Sequence, residues 1–231
     1  MNVIKRFVNY FSVFERLLFA GSLVLITAAF VLFDRENYLY LAASLVGATS
    51  LIFCAKGHPI GQLLMIVFST LYGIISYTFS YYGEMITYLA MTLPMAVVAL
   101  VSWIRNPYEK GKAEVKVERI KGQEVAFMLL LSAAVTAVFY FVLKAFGTAN
   151  LIPSTLSVTT SFIAVYLTFR RSAYYALAYA ANDVVLIVLW ALASREDASY
   201  VSVLVCFVMF LANDLYGFVS WKKREKTQKL L

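Results

Sequence analysis

The 231 residues of this chain are 62% hydrophobic and only 14% charged, whereas an average soluble domain is about 45–50% apolar and about 25% charged. This excess excludes a soluble core of ordinary proportions and makes lipid the solvent for much of the chain. The net charge of +7 comes from basic residues between and after apolar runs, where membrane topology explains them and a nucleic-acid partner is not expected.

Apolar runs of the length needed to cross a bilayer about 30 Å thick recur along the whole chain. Lys5, Arg6 and Arg16 precede the first run, and no small-residue cleavage site leads from it into an aqueous domain, so it is interpreted as a membrane helix. Short polar turns separate the runs, because backbone groups in lipid must be satisfied internally. The predicted helices are 17–33, 38–55, 60–79, 84–104, 123–146, 152–169, 173–193 and 198–221.

The distribution of basic residues supports eight helices. With this count, 17 of the 20 lysine and arginine residues fall on one side of the membrane, together with both termini. The positive-inside rule then places the N- and C-termini in the cytoplasm. The longest loop, residues 105–121, is basic and of mixed charge, and is expected to lie in water on that side.

An internal repeat is suggested by two matches at the same offset of 118 residues. Leu71-Tyr72 aligns with Leu189-Trp190, and Val101-Ser102-Trp103 aligns with Val219-Ser220-Trp221. Helices two to four then superpose on helices six to eight, and a single linker helix between them makes the repeats parallel, as in some transporters. Chance similarity between apolar segments is the alternative. The predicted organisation is an N-terminal amphipathic segment with an extra helix (1–37), a first repeat (38–104), a basic loop (105–122), a linker helix (123–149), a second repeat (150–221) and a basic tail (222–231).

Two Asn-Asp pairs lie where lipid is expected. Asn182-Asp183 falls in the middle of the seventh helix, and Asn213-Asp214 falls in the cytoplasmic half of the eighth. No lysine or arginine occurs at matching depth, so no ion-pair partner is evident, and Asn182 has no internal partner that the sequence reveals. These side chains either hold helices together or line a cavity that binds a polar ligand.

Further candidate binding residues share helix faces with these. Tyr179 lies one turn before Asp183, and an aromatic ring beside an amide and a carboxylate suits a flat heterocycle that carries hydroxyl groups. Gln62 and Ser69 share one face of the third helix. On the fourth helix, Glu84, Tyr88 and Thr92 form a polar stripe that leads to Pro94, which should kink the helix and act as a gate, or else as a simple packing kink.

The sequence offers little support for catalysis or metal binding. Cys54 and Cys206 are far apart within apolar segments, and His58 is the only histidine, so a catalytic triad or a histidine-based metal site is not available. An aspartyl pair of Asp183 and Asp214 sharing one proton is the remaining enzymatic arrangement. We therefore expect no enzyme, catalytic residue, metal or cofactor.

Four segments carry a resemblance to a known family: LYGIISY at 71–77, YGEM at 82–85, AANDVVLIVLW at 180–190, and NDLYG at 213–217 followed by Trp221. They resemble the PnuC family of bacterial vitamin-precursor transporters, also called nicotinamide mononucleotide transporters, over roughly residues 38–221. The resemblance implies an all-α membrane protein in which an N-terminal helix precedes a SWEET-like 3+1+3 parallel-repeat bundle, assembled as a homotrimer in the bacterial cytoplasmic membrane. It also implies substrate contacts from Asn182, Asn213 and Tyr216, and adds Tyr72 to the candidate binding residues.

The function that the resemblance implies is facilitated uptake of nicotinamide riboside without a coupling ion, with the substrate trapped by cytoplasmic phosphorylation. Residues 52–56 and 99–100 depart from the family pattern, so the vitamin stays open, since related members carry thiamine, riboflavin or deoxynucleosides. Two further functions remain compatible with the sequence. One is proton-coupled uptake through Asp183 or Asp214, and the second is that of a structural or signalling membrane protein that transports nothing.

Overall fold

The structure, a computed structural model, describes residues 10–78, 82–148 and 150–229. Within these residues it is helical apart from one bridge between Pro107 and Val115, and eight helices are long and apolar enough to cross a membrane. This confirms the predicted all-α fold with eight transmembrane helices. They are α1 (Val13–Phe33), α2 (Tyr38–Ala55), α3 (Ile60–Thr78), α4 (Tyr82–Arg105), α5 (Gly122–Ala145), α6 (Leu151–Phe169), α7 (Tyr175–Ala193) and α8 (Val201–Thr227).

The ends of the chain differ in detail from the prediction. The predicted amphipathic segment lies outside the described residues as far as residue 9. Helix α1 begins earlier than predicted because Ser12 and Glu15 form a capping box, in which each side chain accepts a hydrogen bond from the other residue's backbone N–H. At the other end, α8 continues to Thr227, so the first part of the basic tail is helical.

The membrane helices form two groups of three. Helices α2–α4 pack together, as do α6–α8, and the groups meet through α2 with α8 and through α4 with α6. Helix α5 lies at the edge of the bundle and packs mainly on α6. Only 11% of its most apolar stretch of 18 residues is buried. Helix α1 packs against α2 and α8, so it covers the seam between the groups on one side.

Two tryptophans make reciprocal contacts between the groups. Trp103 on α4 donates its indole N–H to the carbonyl of Thr168 at the end of α6 (3.0 Å). Trp221 on α8 donates to the carbonyl of Cys54 at the end of α2 (2.8 Å). The two rings contact each other with centroids 5.3 Å apart. The third helix of each group therefore donates a second hydrogen bond to a carbonyl at the end of the other group's first helix, beside the turn N–H of Gly57 or Arg171.

The serines beside these tryptophans repeat the pattern. Ser102 donates to the carbonyl of Phe169 (3.1 Å), and Ser220 donates to that of Ala55 (2.8 Å). The donors are related by the offset of 118 residues seen in the sequence, whereas the acceptors are related by 114. The equivalent contacts agree with two parallel repeats. The second repeat has four more residues than the first between these points, and the extra residues lie in the connections between its helices.

Replacing Trp221 with Phe tests this hydrogen bond. Phenylalanine keeps an aromatic ring but is smaller than indole and has no N–H, so the Cys54 carbonyl keeps only the Gly57 N–H as donor and a small cavity is left. We expect a loss of about 1 kcal/mol or more in the free energy of unfolding. The melting temperature in detergent should fall by roughly 2–4 °C. Trp103→Phe should give a loss of the same size, and an unchanged melting temperature in both variants would contradict the role of the reciprocal bonds.

Helix α4 is irregular where the sequence predicts a kink. Pro94 has no N–H, and the turn before it, Thr87–Thr92, is π-helical. The N–H of Leu93 reaches back five residues to the carbonyl of Tyr88. The widened turn follows from the loss of a regular backbone bond at proline, and it directs Tyr88 and Thr92 toward the centre of the bundle.

The basic loop was expected to lie in water, but it is held against the rest of the protein by several hydrogen bonds. Val115 is buried, and its N–H donates to the carbonyl of Gly57 between α2 and α3 (3.0 Å). Glu118 accepts from Arg171 between α6 and α7 (2.7 Å), and Gln228 after α8 donates to the Val115 carbonyl (3.2 Å). The loop therefore connects the ends of both repeats at the same face of the protein, because its backbone groups find partners on three elements.

Candidate functional site

A central cavity lies where the two repeats meet. The space free of protein atoms amounts to about 370 Å³, and side chains pack closely around it. Six helices contribute to its wall, three from each repeat. The lining residues are Leu51, Met65, Phe68, Tyr88, Thr92, Ser161, Tyr179, Asn182, Asp183, Phe207, Phe210 and Asp214.

Asn182 is held in the cavity wall by two hydroxyl groups. Its Oδ1 accepts hydrogen bonds from Thr160 (2.8 Å) and Ser161 (3.0 Å), both on α6. The structure thus corrects the expectation that Asn182 has no internal partner. Because both hydroxyls bind the oxygen, the side chain is fixed in one orientation, and its NH₂ group remains the donor suited to an amide carbonyl on a ligand.

Two carboxyl groups meet in the same cavity. Asp183 on α7 and Asp214 on α8 lie within hydrogen-bonding reach of each other, and both residues are at least 96% buried. Asp183 Oδ2 has no donor among the described residues. The sequence predicted both acids as site residues, but only the packing of α7 on α8 brings them together.

Aromatic rings form much of the remaining wall. Phe68 contacts Tyr88 (centroids 5.8 Å apart) and Phe210 (5.5 Å), and Phe210 contacts Phe207 (5.6 Å). Tyr179 lines the cavity from the second repeat. Edge-to-face contacts of this kind hold ring planes in place, so the cavity offers apolar faces to a flat ligand.

Two residues expected in the site face α1 instead. The Asn213 amide donates to the Ser22 hydroxyl (2.9 Å) and to the Met209 carbonyl (2.7 Å). The Tyr216 hydroxyl donates to the carboxylate of Glu15 (2.8 Å). Neither residue lines the cavity, because α1 supplies polar partners on the opposite face of α8.

Four further candidates also lie away from the cavity wall. Gln62 donates to the Cys54 sulfur between α2 and α3 (3.3 Å). Ser69 is fully buried beside it in α3, and the Tyr72 ring contacts Tyr88 behind the wall (centroids 4.5 Å apart). Pro94 follows the π-helical turn of α4 but does not line the cavity itself. The predicted residues that do line it are Tyr88, Thr92, Tyr179, Asn182, Asp183 and Asp214.

Sequence reasoning missed several wall residues. Ser161, with Thr160, belongs to a run of hydroxyl residues in α6 that could have signalled partners for Asn182. Phe68, Phe207 and Phe210 carried no usable signal, because aromatic residues make up 16% of the chain and most are consistent with packing or membrane-interface positions.

His58 lies outside the cavity, in the turn between α2 and α3. Its Nδ1 accepts from the N–H of Ile60 (3.2 Å), and partial burial lowers its pKa. A histidine that accepts at Nδ1 and has a lowered pKa is neutral near pH 7. It therefore contributes no charge to a ligand in the cavity.

Comparisons with known proteins point in one direction. The family model described as nicotinamide mononucleotide transporter matches residues 37–223. A nicotinamide riboside transporter PnuC from Neisseria mucosa is 29% identical over 223 residues, which cover 94% of this chain and 83% of that protein. A crystal structure of the vitamin B3 transporter PnuC superposes with a TM-score of 0.83 at 25% identity, covering 94% of each chain.

Proposed function

The chain belongs to the nicotinamide mononucleotide transporter family, and from this membership we propose that it carries nicotinamide riboside across the bacterial cytoplasmic membrane by facilitated diffusion. It is a multi-pass membrane transporter and not an enzyme. The observation that carries the substrate proposal is the central cavity, which combines a fixed amide, two carboxyl groups and several aromatic rings between the repeats. Transporters commonly bind substrate at such a repeat interface.

Each group in the cavity matches a part of nicotinamide riboside. The NH₂ group of Asn182 can donate to the carboxamide oxygen, and the carboxyl groups of Asp183 and Asp214 can accept from the ribose hydroxyls. The faces of Tyr88 and Tyr179 suit the pyridine ring. We assign these contacts to the substrate.

The charges around the cavity favour the riboside over the mononucleotide. A phosphate group would place up to two negative charges beside Asp183 and Asp214, and no lysine or arginine lines the cavity among the described residues. Like charges in a buried site repel strongly. The same repulsion supports trapping by phosphorylation, because a substrate phosphorylated in the cytoplasm could not return through the cavity.

We also propose that both termini lie in the cytoplasm. The N-terminal end of α1, the turn at 56–59, the basic loop, the turn at 170–172 and the end of α8 contact one another at one face. That face carries most of the basic residues of the sequence, which favours the cytoplasmic side.

We further propose a SWEET-like homotrimer as the working assembly. Helix α5 exposes a broad apolar surface, including Phe127, Leu130, Val138 and Phe141, that either lipid or a second copy can cover. Light scattering of the detergent-purified protein measures this directly: a protein mass near three times 25.9 kDa supports the trimer, and a monomer mass opposes it.

Ligand-dependent thermal stabilisation of the purified protein tests the substrate. A ligand at 100 times its dissociation constant stabilises the folded protein by about 2.7 kcal/mol. We expect a clear shift with nicotinamide riboside and none with the mononucleotide at the same concentration. A shift with thiamine, riboflavin or a deoxynucleoside alone would identify that compound as the substrate in place of nicotinamide riboside. No shift with any of the compounds would contradict the proposed function.

Proton-coupled uptake is the alternative mechanism, and the two carboxyl groups in the cavity favour it. The two carboxyl groups in the cavity form a site that can hold a proton inside the membrane. Uptake of nicotinamide riboside into proteoliposomes with an imposed pH gradient and the membrane potential clamped at zero, measured with and without a protonophore, separates the two mechanisms. Facilitated diffusion predicts the same initial rate in both, whereas coupling predicts loss of accumulation against the gradient.

A further inference from the structure

The two carboxyl groups in the cavity constrain its charge. Asp183 and Asp214 lie within hydrogen-bonding reach of each other and are almost fully buried. Two carboxylates at this distance cannot both be ionised in a buried site, so the pair holds at least one proton. The free Oδ2 of Asp183 has no donor among the described residues. The pair therefore carries at most one negative charge in the cavity wall, and a cation beside it favours that ionised state.

The protein supplies no charge to balance it. Among the described residues, the helices around the cavity present to it hydroxyls, an amide, thioether and aromatic groups, but no lysine, arginine or histidine. The other ionisable side chains that interact with the pair are the phenols of Tyr88, Tyr175 and Tyr179 and the thiols of Cys54 and Cys206, which are neutral or negative but never positive. A buried charge without a partner is costly, so the balancing cation has to come with the ligand.

The aromatic wall favours the same class of ligand. Phe68, Tyr88, Tyr179, Phe207 and Phe210 surround the cavity. Ring faces attract cations through their quadrupoles, and quaternary nitrogen compounds are typically recognised in this way. A carboxyl pair and a set of rings thus point independently to an organic cation.

We infer that the Asp183–Asp214 pair makes the transporter selective for ligands with a positively charged ring and against uncharged ligands of the same shape. The inference rests on the proposed function, because nicotinamide riboside is an N-substituted pyridinium with a fixed positive charge. Its reduced form, dihydronicotinamide riboside, has nearly the same size and the same carboxamide and ribose but no charge. The pair distinguishes the two by charge, while Asn182 binds both.

The experiment compares the dissociation constants of the oxidised and reduced ribosides by titration calorimetry. The wild-type protein is expected to prefer the oxidised form by at least about tenfold. The double variant Asp183→Asn/Asp214→Asn keeps the shape and hydrogen-bonding capacity of the pair but removes its charge, so the preference should fall below about threefold, the part that the aromatic rings still supply. Binding of the reduced riboside by this variant shows that the variant is folded.

The single variants test whether the pair shares one charge. In Asp183→Asn or Asp214→Asn, the amide replaces the protonated acid and the remaining carboxylate keeps the negative charge, so each should retain the preference within about threefold. Glu84→Gln removes another buried carboxyl outside the cavity wall and is the matched control, with the wild-type preference expected.

The outcomes are distinguishable from those of the proposed function. Equal binding of both ribosides by the wild type, or a preserved preference in the double variant, overturns the charge-selection inference and leaves the riboside as substrate. Loss of the preference in either single variant overturns the statement that a single carboxylate of the pair carries the charge. Failure of the wild type to bind either riboside overturns both proposals.

Discussion

Asn182→Ala is expected to weaken the binding of nicotinamide riboside by roughly 100-fold. The change removes the cavity's fixed amide and leaves the ligand carboxamide without a donor in a buried site, at a cost of about 1–3 kcal/mol. It also leaves the Ser161 hydroxyl without the acceptor it binds at 3.0 Å, whereas the Thr160 hydroxyl can still donate to the carbonyl of Leu156 or Ser157. Titration calorimetry on the detergent-purified variant measures the loss.

Asn213→Ala is the matched control for this prediction. It removes the same side chain from the neighbouring helix, but Asn213 bonds to Ser22 on α1 and does not line the cavity. We expect its affinity to stay within about threefold of wild type, with a loss of about 1 kcal/mol in stability. Unchanged affinity in a folded Asn182→Ala protein, or a greater loss in Asn213→Ala, would transfer the substrate contact to the face of α8 that α1 covers here.

Gly61→Ala is expected to destabilise the fold by about 3 kcal/mol or more. A Cβ at this position would lie 2.5 Å from the Cys54 sulfur and 2.6 Å from the Cys54 backbone nitrogen. Ser50 donates to the Gly61 carbonyl (2.7 Å), so the two helices are bonded at this point of closest approach. Backbone cannot rotate away as a side chain can, and α2 and α3 would have to separate.

The melting temperature of the detergent-purified protein should fall by roughly 6–12 °C in this variant. Gly21→Ala makes the same substitution in α1, where a Cβ would have nothing within 4 Å, and should leave the melting temperature unchanged or slightly raised. Equal melting temperatures for the two variants would show that α2 and α3 are not held in close contact at Gly61.

The site residues divide into those that the sequence indicates and those that only the fold places. Asn182, Asp183 and Asp214 were predictable because polar groups in lipid are costly and therefore conspicuous. The location of Asn213 and Tyr216 was not, because both orientations of a polar face on α8 are equally consistent with the sequence. Only the position of α1, with Ser22 and Glu15 in reach, decides which face is occupied.

The sequence by itself determined the eight membrane helices and the family, and it predicts the repeat. These depend on hydrophobic length, on the side of the membrane that holds basic residues, and on local motifs, all of which are properties of contiguous residues. Tertiary structure decided the rest: that Asp183 meets Asp214, that Thr160 and Ser161 hold Asn182, and that the basic loop binds the ends of both repeats. The physical reason is that these contacts join helices separated by tens of residues, and lipid is as apolar as the side chains that face it. Apolar patterning therefore does not show which face of a membrane helix packs inward.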